Sequence, residues 1–191
     1  MNNYRLDTHR LWIILEGWEH YLHKKVHLIA CGGTALTIQG IKPSTKDVDF
    51  MVPVDTEYVA LVRTLSILGY SKCTGSGWSR GDGIVFDLFQ GNCVYITELL
   101  ESPLKKNNNV PIKDLKKIYV GALNDYDLII TKLFRASPVD IEDCLALMHC
   151  RGDKFDLEKL KNRYRETASY DVNPERLQQN LKSFLNHLKK R

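Results

Sequence analysis

The chain has 191 residues, of which 43% are hydrophobic and 26% are charged, and it carries a formal net charge of +4. This composition is that of a soluble globular protein of one domain, or of one domain with a helical extension, and no apolar run approaches the roughly 20 residues that span a membrane. The five cysteines form no Cys-x-x-Cys pair, which argues against a zinc site or disulfides and favours a cytoplasmic protein without membrane contact.

The N-terminal half is predicted to alternate helices and strands, because its apolar residues change from helical to continuous spacing. We expect helices over residues 7–24, 33–39 and 56–68 and strands over residues 26–31 and 47–53. Glycines follow the first strand, and Pro43 and Ser44 mark the loop before the second. The pattern indicates a sheet with helices packed against it.

The rest of the chain begins with strands and ends in helices. Residues 70–98 are predicted to be antiparallel strands joined by glycine turns, residues 105–109 a polar loop, and residues 118–123 a short strand. Asn124 and Ser137 have the spacing of helix N-caps. We therefore expect an α+β fold, with an α/β core over residues 1–123 and a helical C-terminal part over residues 124–191.

Two aspartates lie in the most informative stretch of the sequence. Asp47 and Asp49 flank a valine in the predicted second strand, and residues two apart on a strand share a face. Two carboxylates on one face repel each other unless a cation lies between them, and a hard ion such as Mg2+ or Mn2+ takes oxygen ligands. Gly32 and Gly33 form a turn that lets a phosphate approach the backbone. The alternative is a structural corner with solvated aspartates.

The segment Gly32-Gly33-Thr34, followed by Asp47-Val48-Asp49, resembles the nucleotidyltransferase fold of polymerase-β type. It is most similar to the small prokaryotic minimal nucleotidyltransferases and to the abortive-infection nucleotidyltransferases of type IV toxin–antitoxin systems. The resemblance implies a mixed sheet flanked by helices and Mg2+-dependent transfer of a nucleoside monophosphate from an NTP to an acceptor hydroxyl. It also implies that Gly32, Gly33 and Thr34 hold the triphosphate through backbone N–H groups and a hydroxyl.

A third carboxylate is predicted at Asp87. It is the only charge in the apolar run of residues 83–89, where a carboxylate is costly unless it is paired or ligated. In the resembling family the third metal aspartate lies on such a strand. Asp47, Asp49 and Asp87 are therefore the predicted catalytic and metal-binding residues. The alternative for Asp87 is a strand-edge residue that faces water.

Residues 128–143 resemble a later motif of the toxin branch, with a lysine, an arginine and paired acids on consecutive helices. The resemblance implies that Lys132 contacts a nucleotide phosphate. It makes Asp143 an accessory acid that pairs with Arg135. The alternatives are a solvated lysine and an acid paired with some neighbouring base.

The basic excess lies at the C-terminal end, because residues 151–191 have a net charge of +5 and residues 1–150 have −1. Such a segment either binds a polyanion or is the solvated face of a helix pair. The expected partners are an NTP and either RNA or an antitoxin protein, and the acceptor is RNA, a protein side chain or a small molecule. The rival function is a catalytically idle module of the same fold that binds a partner protein or RNA.

Overall fold

The computed structural model describes residues 6–189, and nine strands lie in this range. They are β1 (Val26–Ala30), β2 (Val48–Val52), β3 (Ser71–Lys72), β4 (Gly77–Ser79), β5 (Phe86–Gln90), β6 (Cys93–Val94), β7 (Thr97–Glu98), β8 (Asn109–Asp114) and β9 (Ile118–Leu123). Seven of them form one sheet in the order β3-β4-β5-β2-β1-β9-β8, and β6 and β7 form a separate hairpin.

Seven α-helices accompany the strands within the same range. They are α1 (Thr8–Glu19), α2 (Gly32–Ile38), α3 (Asp55–Ile67), α4 (Asp125–Arg135), α5 (Pro138–Arg151), α6 (Leu157–Ala168) and α7 (Pro174–Lys189), with a short 3-10 turn at Gly152–Lys154. The side chains of Asn124 and Ser137 accept hydrogen bonds from the backbone three residues later, as their spacing predicted. None of the described helices is long and apolar enough to cross a membrane.

The main sheet is mixed, which confirms the predicted fold class. Strand β1 is antiparallel to β2 and parallel to β9, while β8 is antiparallel to β9. The predicted antiparallel pairing within residues 70–98 is confirmed for β3 with β4, β4 with β5 and β6 with β7. The parallel pairing of β5 with β2, outside that segment, was not predicted. Strand β8 was missed, because it begins in a polar run and contains Pro111, a residue that only an edge strand accommodates.

The two faces of the sheet are covered differently. Val48, Phe50 and Phe86 alternate with the aspartates, so they lie on the opposite face. The Phe86 ring packs 4.6 Å from the ring of Trp18 in α1, measured between centroids. One face of β2 and β5 is therefore an apolar core, which leaves the other face to hold the acids.

The helical C-terminal part packs around α4, most of whose residues are buried. The rings of Phe134 and Tyr164 meet edge to face at 5.3 Å, and the Tyr164 hydroxyl donates to the carbonyl of Leu177. Helix α4 begins two residues after β9. The division of the chain into two domains at this junction stays a prediction.

Candidate active site

The register of β2 against β5 brings two of the predicted aspartates side by side. Asp49 and Asp87 are direct partners in this parallel pair, so their side chains lie on the same face of the sheet. Asp47 lies one residue before β2 and two residues before Asp49. The Asp87 carboxylate is close enough to raise the pKa of both other acids. The three acids therefore belong to one region.

Two of these carboxylates are turned toward protein partners. The Tyr95 hydroxyl donates to Asp49 Oδ1 at 2.6 Å, and the Ser76 hydroxyl donates to Asp87 Oδ1 at 2.7 Å. Over residues 6–189 no three Asp, Glu, His or Cys side chains come close enough together to hold a metal ion. Each of these hydrogen bonds engages one carboxylate oxygen, which leaves the second oxygen of Asp49 and of Asp87 for another partner.

Asp49 is the most perturbed acid of this region. It is 4% exposed, and burial raises its pKa from 3.8 to about 6, an effect that the hydrogen bond from Tyr95 opposes and the Asp87 charge reinforces. Burial and Asp87 also raise the pKa of Asp47, while Lys46 lowers it. Carboxylates that are hard to ionise beside one another are stabilised by a cation. The donor set, all carboxylate oxygens, suits Mg2+ or Mn2+.

The glycine turn is shaped by the aspartate beneath it. Gly32 has φ +54°, and a Cβ at this position would lie 2.4 Å from Asp49 Oδ2. A Cβ on Gly33 would lie 2.7 Å from the Thr45 hydroxyl. Only glycine gives this close approach without displacing a neighbour, so α2 begins directly over the Asp49 carboxylate.

Thr34 forms hydrogen bonds through its hydroxyl with the backbone of Asp47 and Asp49. Its side chain is buried, its hydroxyl accepts from the N–H of Asp49 at 2.9 Å, and it donates to the carbonyl of Asp47 at 3.3 Å. Donation of this hydroxyl to a triphosphate would break only its bond to the Asp47 carbonyl, and the predicted phosphate contact stays a prediction. In this structure Thr34 fixes the backbone on which both acids lie.

Lys132 is a buried ion-pair partner and not a solvated helix residue. Its Nζ lies 2.7 Å from Asp143 Oδ2 and 3.6 Å from Asp140 Oδ1, and Lys42 Nζ lies 2.6 Å from Asp143 Oδ1. The predicted pairing of Asp143 with Arg135 is wrong, because Arg135 donates to Asp140 at 2.6 Å. Asp140 lies in the first turn of α5, next to the end of α4, whereas Asp143 lies one turn further along.

Tyr95 was not identified from the sequence. It lies in the two-residue turn between β6 and β7, with the guanidinium of Arg135 4.1 Å and the ring of Phe89 4.6 Å from its ring centroid. The turn contains neither glycine nor asparagine, so no local signal marks the hairpin. Burial, followed by the charge of Asp49, raises the pKa of the Tyr95 hydroxyl, which stays protonated at neutral pH.

Part of this region lines a cleft of about 520 Å3, a volume in the range of small-molecule sites. Asp47 and Asp49 are among its lining residues, whereas Asp87, Gly32 and Thr34 are not. The cleft lies between the aspartate strand and the ends of α4 and α5. Its charged lining residues are Lys42, Lys46, Asp47, Asp49, Lys132, Arg135, Asp140 and Asp143, and Gly33 and Tyr95 complete it near the glycine turn. The cleft therefore combines acids suited to a cation with bases suited to phosphate.

The basic residues near the C-terminus are partly neutralised. Arg163 donates to both oxygens of the buried Asp127 carboxylate, at 2.7 and 2.9 Å, and Lys161 pairs with Glu158 at 2.6 Å. Arg165 lines a groove between α6 and α7. The terminal residues Lys190 and Arg191, also part of the predicted basic surface, lie outside the described residues.

Comparison with known proteins identifies the family and the fold. A family model described as "Nucleotidyltransferase of unknown function (DUF6036)" matches residues 10–191. No curated protein sequence matches the chain. Among solved structures, ANT(2'')-Ia in complex with adenylyl-2''-tobramycin is 18% identical, with a TM-score of 0.56 over 85% of this chain and 98% of that one.

A solution structure of the antibiotic-resistance factor ANT(2'')-Ia gives a TM-score of 0.57 at 16% identity, over 86% of this chain and 94% of that one. A nucleotidyltransferase-like protein from Paracoccidioides brasiliensis is 12% identical, with a TM-score of 0.47 over 92% and 95% of the two chains. At these identities the likeness to ANT(2'')-Ia shows a shared fold.

Proposed function

The chain belongs to this DUF6036 family of nucleotidyltransferases, and from that premise we propose that it transfers a nucleoside monophosphate from an NTP to an acceptor hydroxyl with Mg2+ as cofactor. The observation that carries the proposal is the register of β2 and β5, which sets Asp49 beside Asp87 on the sheet face next to the Gly32 turn. Since the donor is an NTP, we expect the reaction to occur in the cytoplasm.

Asp47, Asp49 and Asp87 are the residues that would hold the cation. When bound there, a divalent cation withdraws charge from the phosphate oxygens and offsets the repulsion among the three carboxylates. The Asp49 side chain is buried next to Gly32. Thr34 fixes the backbone of Asp49 by accepting a hydrogen bond from its N–H.

The triphosphate is expected between the glycine turn and the basic side of the cleft. The backbone at Gly33 lines the cleft directly, as do the cationic groups of Lys46 and Arg135. Lys132 joins α4 to α5 at the cleft through its ion pair with Asp143. Its direct contact with a phosphate stays a prediction, since such a contact competes with a buried ion pair.

The test is transfer of label from NTPs carrying 32P in the α-phosphate. Purified protein, Mg2+, each of the four NTPs and either total RNA or cell lysate are incubated, and the labelled product is identified. We expect transfer by the wild type and by Asp82→Asn, whose acid pairs with Arg80 outside the cleft, and none by Asp49→Asn. Equal transfer by Asp49→Asn would contradict the site. Nucleotide binding without any transfer would favour the idle module.

The acceptor is examined in the same assay. The structure of ANT(2'')-Ia contains an adenylylated antibiotic, so hydroxyl-bearing small molecules belong in the panel beside RNA and protein. RNA as the acceptor predicts that binding weakens steeply with salt, because each neutralised phosphate releases counterions. Replacing Lys161 and Arg165 with alanine should then flatten the salt slope and spare NTP binding. RNA affinity that this double variant leaves unchanged would exclude these residues from the interface.

A role in a toxin–antitoxin pair is also part of the proposal. It predicts that induced wild-type protein arrests growth, that Asp49→Asn at equal abundance does not, and that a partner protein co-expressed from a neighbouring gene relieves the arrest. Normal growth with the active enzyme at high abundance would contradict the toxin role and leave the transfer activity untouched.

A further inference from the structure

The turn between β6 and β7 directs one hydroxyl at the aspartate site. Val94 pairs with Thr97, so Tyr95 and Ile96 form the turn. Tyr95 has φ +55°, in the left-handed region that a bulky aromatic residue rarely adopts. Such a conformation persists only where the surroundings hold it, and it is concentrated at functional sites. Here it directs the hydroxyl to Asp49 Oδ1, 2.6 Å away.

The ring of Tyr95 is held from two sides and stays accessible. The Arg135 guanidinium lies 4.1 Å from its centroid, an arrangement that is attractive through the ring quadrupole, and the Phe89 ring lies 4.6 Å away. The residue is nevertheless 38% exposed and lines the same cleft as Asp47 and Lys132. Tyr95 therefore borders the space that a nucleotide in the cleft would occupy, with its hydroxyl held at Asp49.

We propose that Tyr95 is itself an acceptor, and that the enzyme transfers a nucleoside monophosphate from an NTP onto the Tyr95 hydroxyl. The inference rests on the proposed function, since it uses the same nucleotide site. The bond between the tyrosine oxygen and the α-phosphorus forms, and the bond between the α-phosphorus and the oxygen bridging to the β-phosphate breaks. Pyrophosphate leaves, and the phenolic proton is released to water.

The adduct changes what the cleft can do next. It places a phosphodiester anion beside Arg135, with which the ring already stacks, and a nucleoside at the mouth of the cleft. Asp49 then no longer accepts a hydrogen bond from the Tyr95 hydroxyl. A protein modified in this way cannot offer the same position to a second acceptor, so self-modification limits transfer to other molecules.

The competing role is purely structural, with Tyr95 only orienting Asp49. Tyr95→Phe separates the two roles, because phenylalanine keeps the ring between Arg135 and Phe89 and lacks the hydroxyl that would be modified. Tyr21→Phe is the matched control. Tyr21 is 52% exposed and lies outside the cleft, so labelling that follows exposure alone would favour Tyr21 over Tyr95.

The experiment incubates each protein with 32P-labelled NTPs and Mg2+ and maps the label by trypsin digestion and mass spectrometry. Tyr95 falls in the tryptic peptide of residues 81–105 together with Thr97 and Ser102, and fragmentation tells the three hydroxyls apart. We expect one nucleoside monophosphate on Tyr95 in the wild type and in Tyr21→Phe, and background label in Tyr95→Phe. The intact mass of the wild type as purified, before any metal or nucleotide is added, should show the same adduct in part of the molecules.

The other outcomes overturn the inference. Transfer to an added acceptor by a wild type that carries no label would refute self-modification and leave the proposed function in place. Label that persists in Tyr95→Phe, or that maps to Thr97 or Ser102, would refute Tyr95 as the acceptor. A wild type that binds no fluorescent nucleotide analogue and labels nothing would refute both proposals. The mapping is done on the wild type, so it does not depend on how the variant folds.

Discussion

Asp49→Asn is expected to stabilise the metal-free protein, and the gain should depend on pH. A carboxyl whose pKa is raised by folding from 3.8 to about 6 binds its proton more tightly in the folded than in the unfolded chain. Its ionisation therefore costs stability as the pH rises between these values, and the cost is complete above about pH 6. By linkage the full cost is about 3 kcal/mol.

The predicted magnitude follows from the same two pKa values. The cost is about 1 kcal/mol at about pH 4.5 and about 3 kcal/mol at about pH 7.5. Asparagine has no charge to desolvate, and its amide oxygen can still accept the hydrogen bond from Tyr95. The difference in unfolding free energy between Asp49→Asn and the wild type should therefore widen by about 2 kcal/mol between these pH values. In a protein of this size that corresponds to about 4–8 °C in Tm.

Urea denaturation in EDTA, followed by tryptophan fluorescence at both pH values, measures this difference. Asp82→Asn is the control, because the hydrogen bond from Arg80 holds the pKa of Asp82 low against the opposing effect of burial. The lowered pKa makes ionised Asp82 stabilising, but this contribution is lost only as the pH falls below 3.8. The stability of this variant relative to the wild type should therefore stay nearly constant between the two pH values of the assay. A constant or narrowing difference for Asp49→Asn would refute the assignment of Asp49 as a carboxylate destabilised by burial.

Three further predictions concern the cation, the glycine turn and the buried lysine. Mg2+ should raise the Tm of the wild type by mass action but not that of the Asp47→Asn/Asp49→Asn double variant, and equal thermal shifts would place the metal elsewhere. Gly32→Ala should lower Tm and abolish nucleotide transfer, whereas Gly40→Ala should lower Tm only. Both residues have positive φ, but only a Cβ at Gly32 meets Asp49. Equal effects of the two variants on transfer would contradict this reasoning. Lys132→Met should cost about 3–5 kcal/mol in chemical denaturation because it breaks a buried ion pair, and a loss below about 1 kcal/mol would mean that Lys42 alone neutralises the pocket.

The parts that the sequence predicted are those that depend on local periodicity. The strand that carries Asp49 was predicted from its apolar run, and β2 spans Val48–Val52. Asp47 lies one residue before β2, so its common face with Asp49 stays a prediction. Asn124 and Ser137 cap helices through bonds to residues three positions away. The mixed sheet followed by helices was also predictable, because the apolar spacing changes at these boundaries. Each inference used only neighbours along the chain.

The parts that the sequence did not predict depend on pairing between distant segments. Tyr95 meets Asp49 across 46 positions, and Lys42 meets Asp143 across 101. No pattern in either segment encodes such a contact. Arg135 pairs with Asp140 and not with Asp143 because of how the ends of α4 and α5 pack together. This packing cannot be predicted from the sequence of each helix taken separately. The parallel pairing of β5 with β2 likewise depends on tertiary contacts between distant segments.

The charges of the cleft divide into two groups, and this division argues for a cation at the aspartates. The cations on the helical side already have partners, since Lys132 pairs with Asp143 and Arg135 with Asp140. They cannot fully neutralise Asp49, whose pKa stays raised in spite of Arg135 and the hydrogen bond from Tyr95. A triphosphate entering this cleft would add more negative charge beside the same acids. A divalent cation held by these aspartates would offset both repulsions, so nucleotide affinity should fall when Mg2+ is withdrawn.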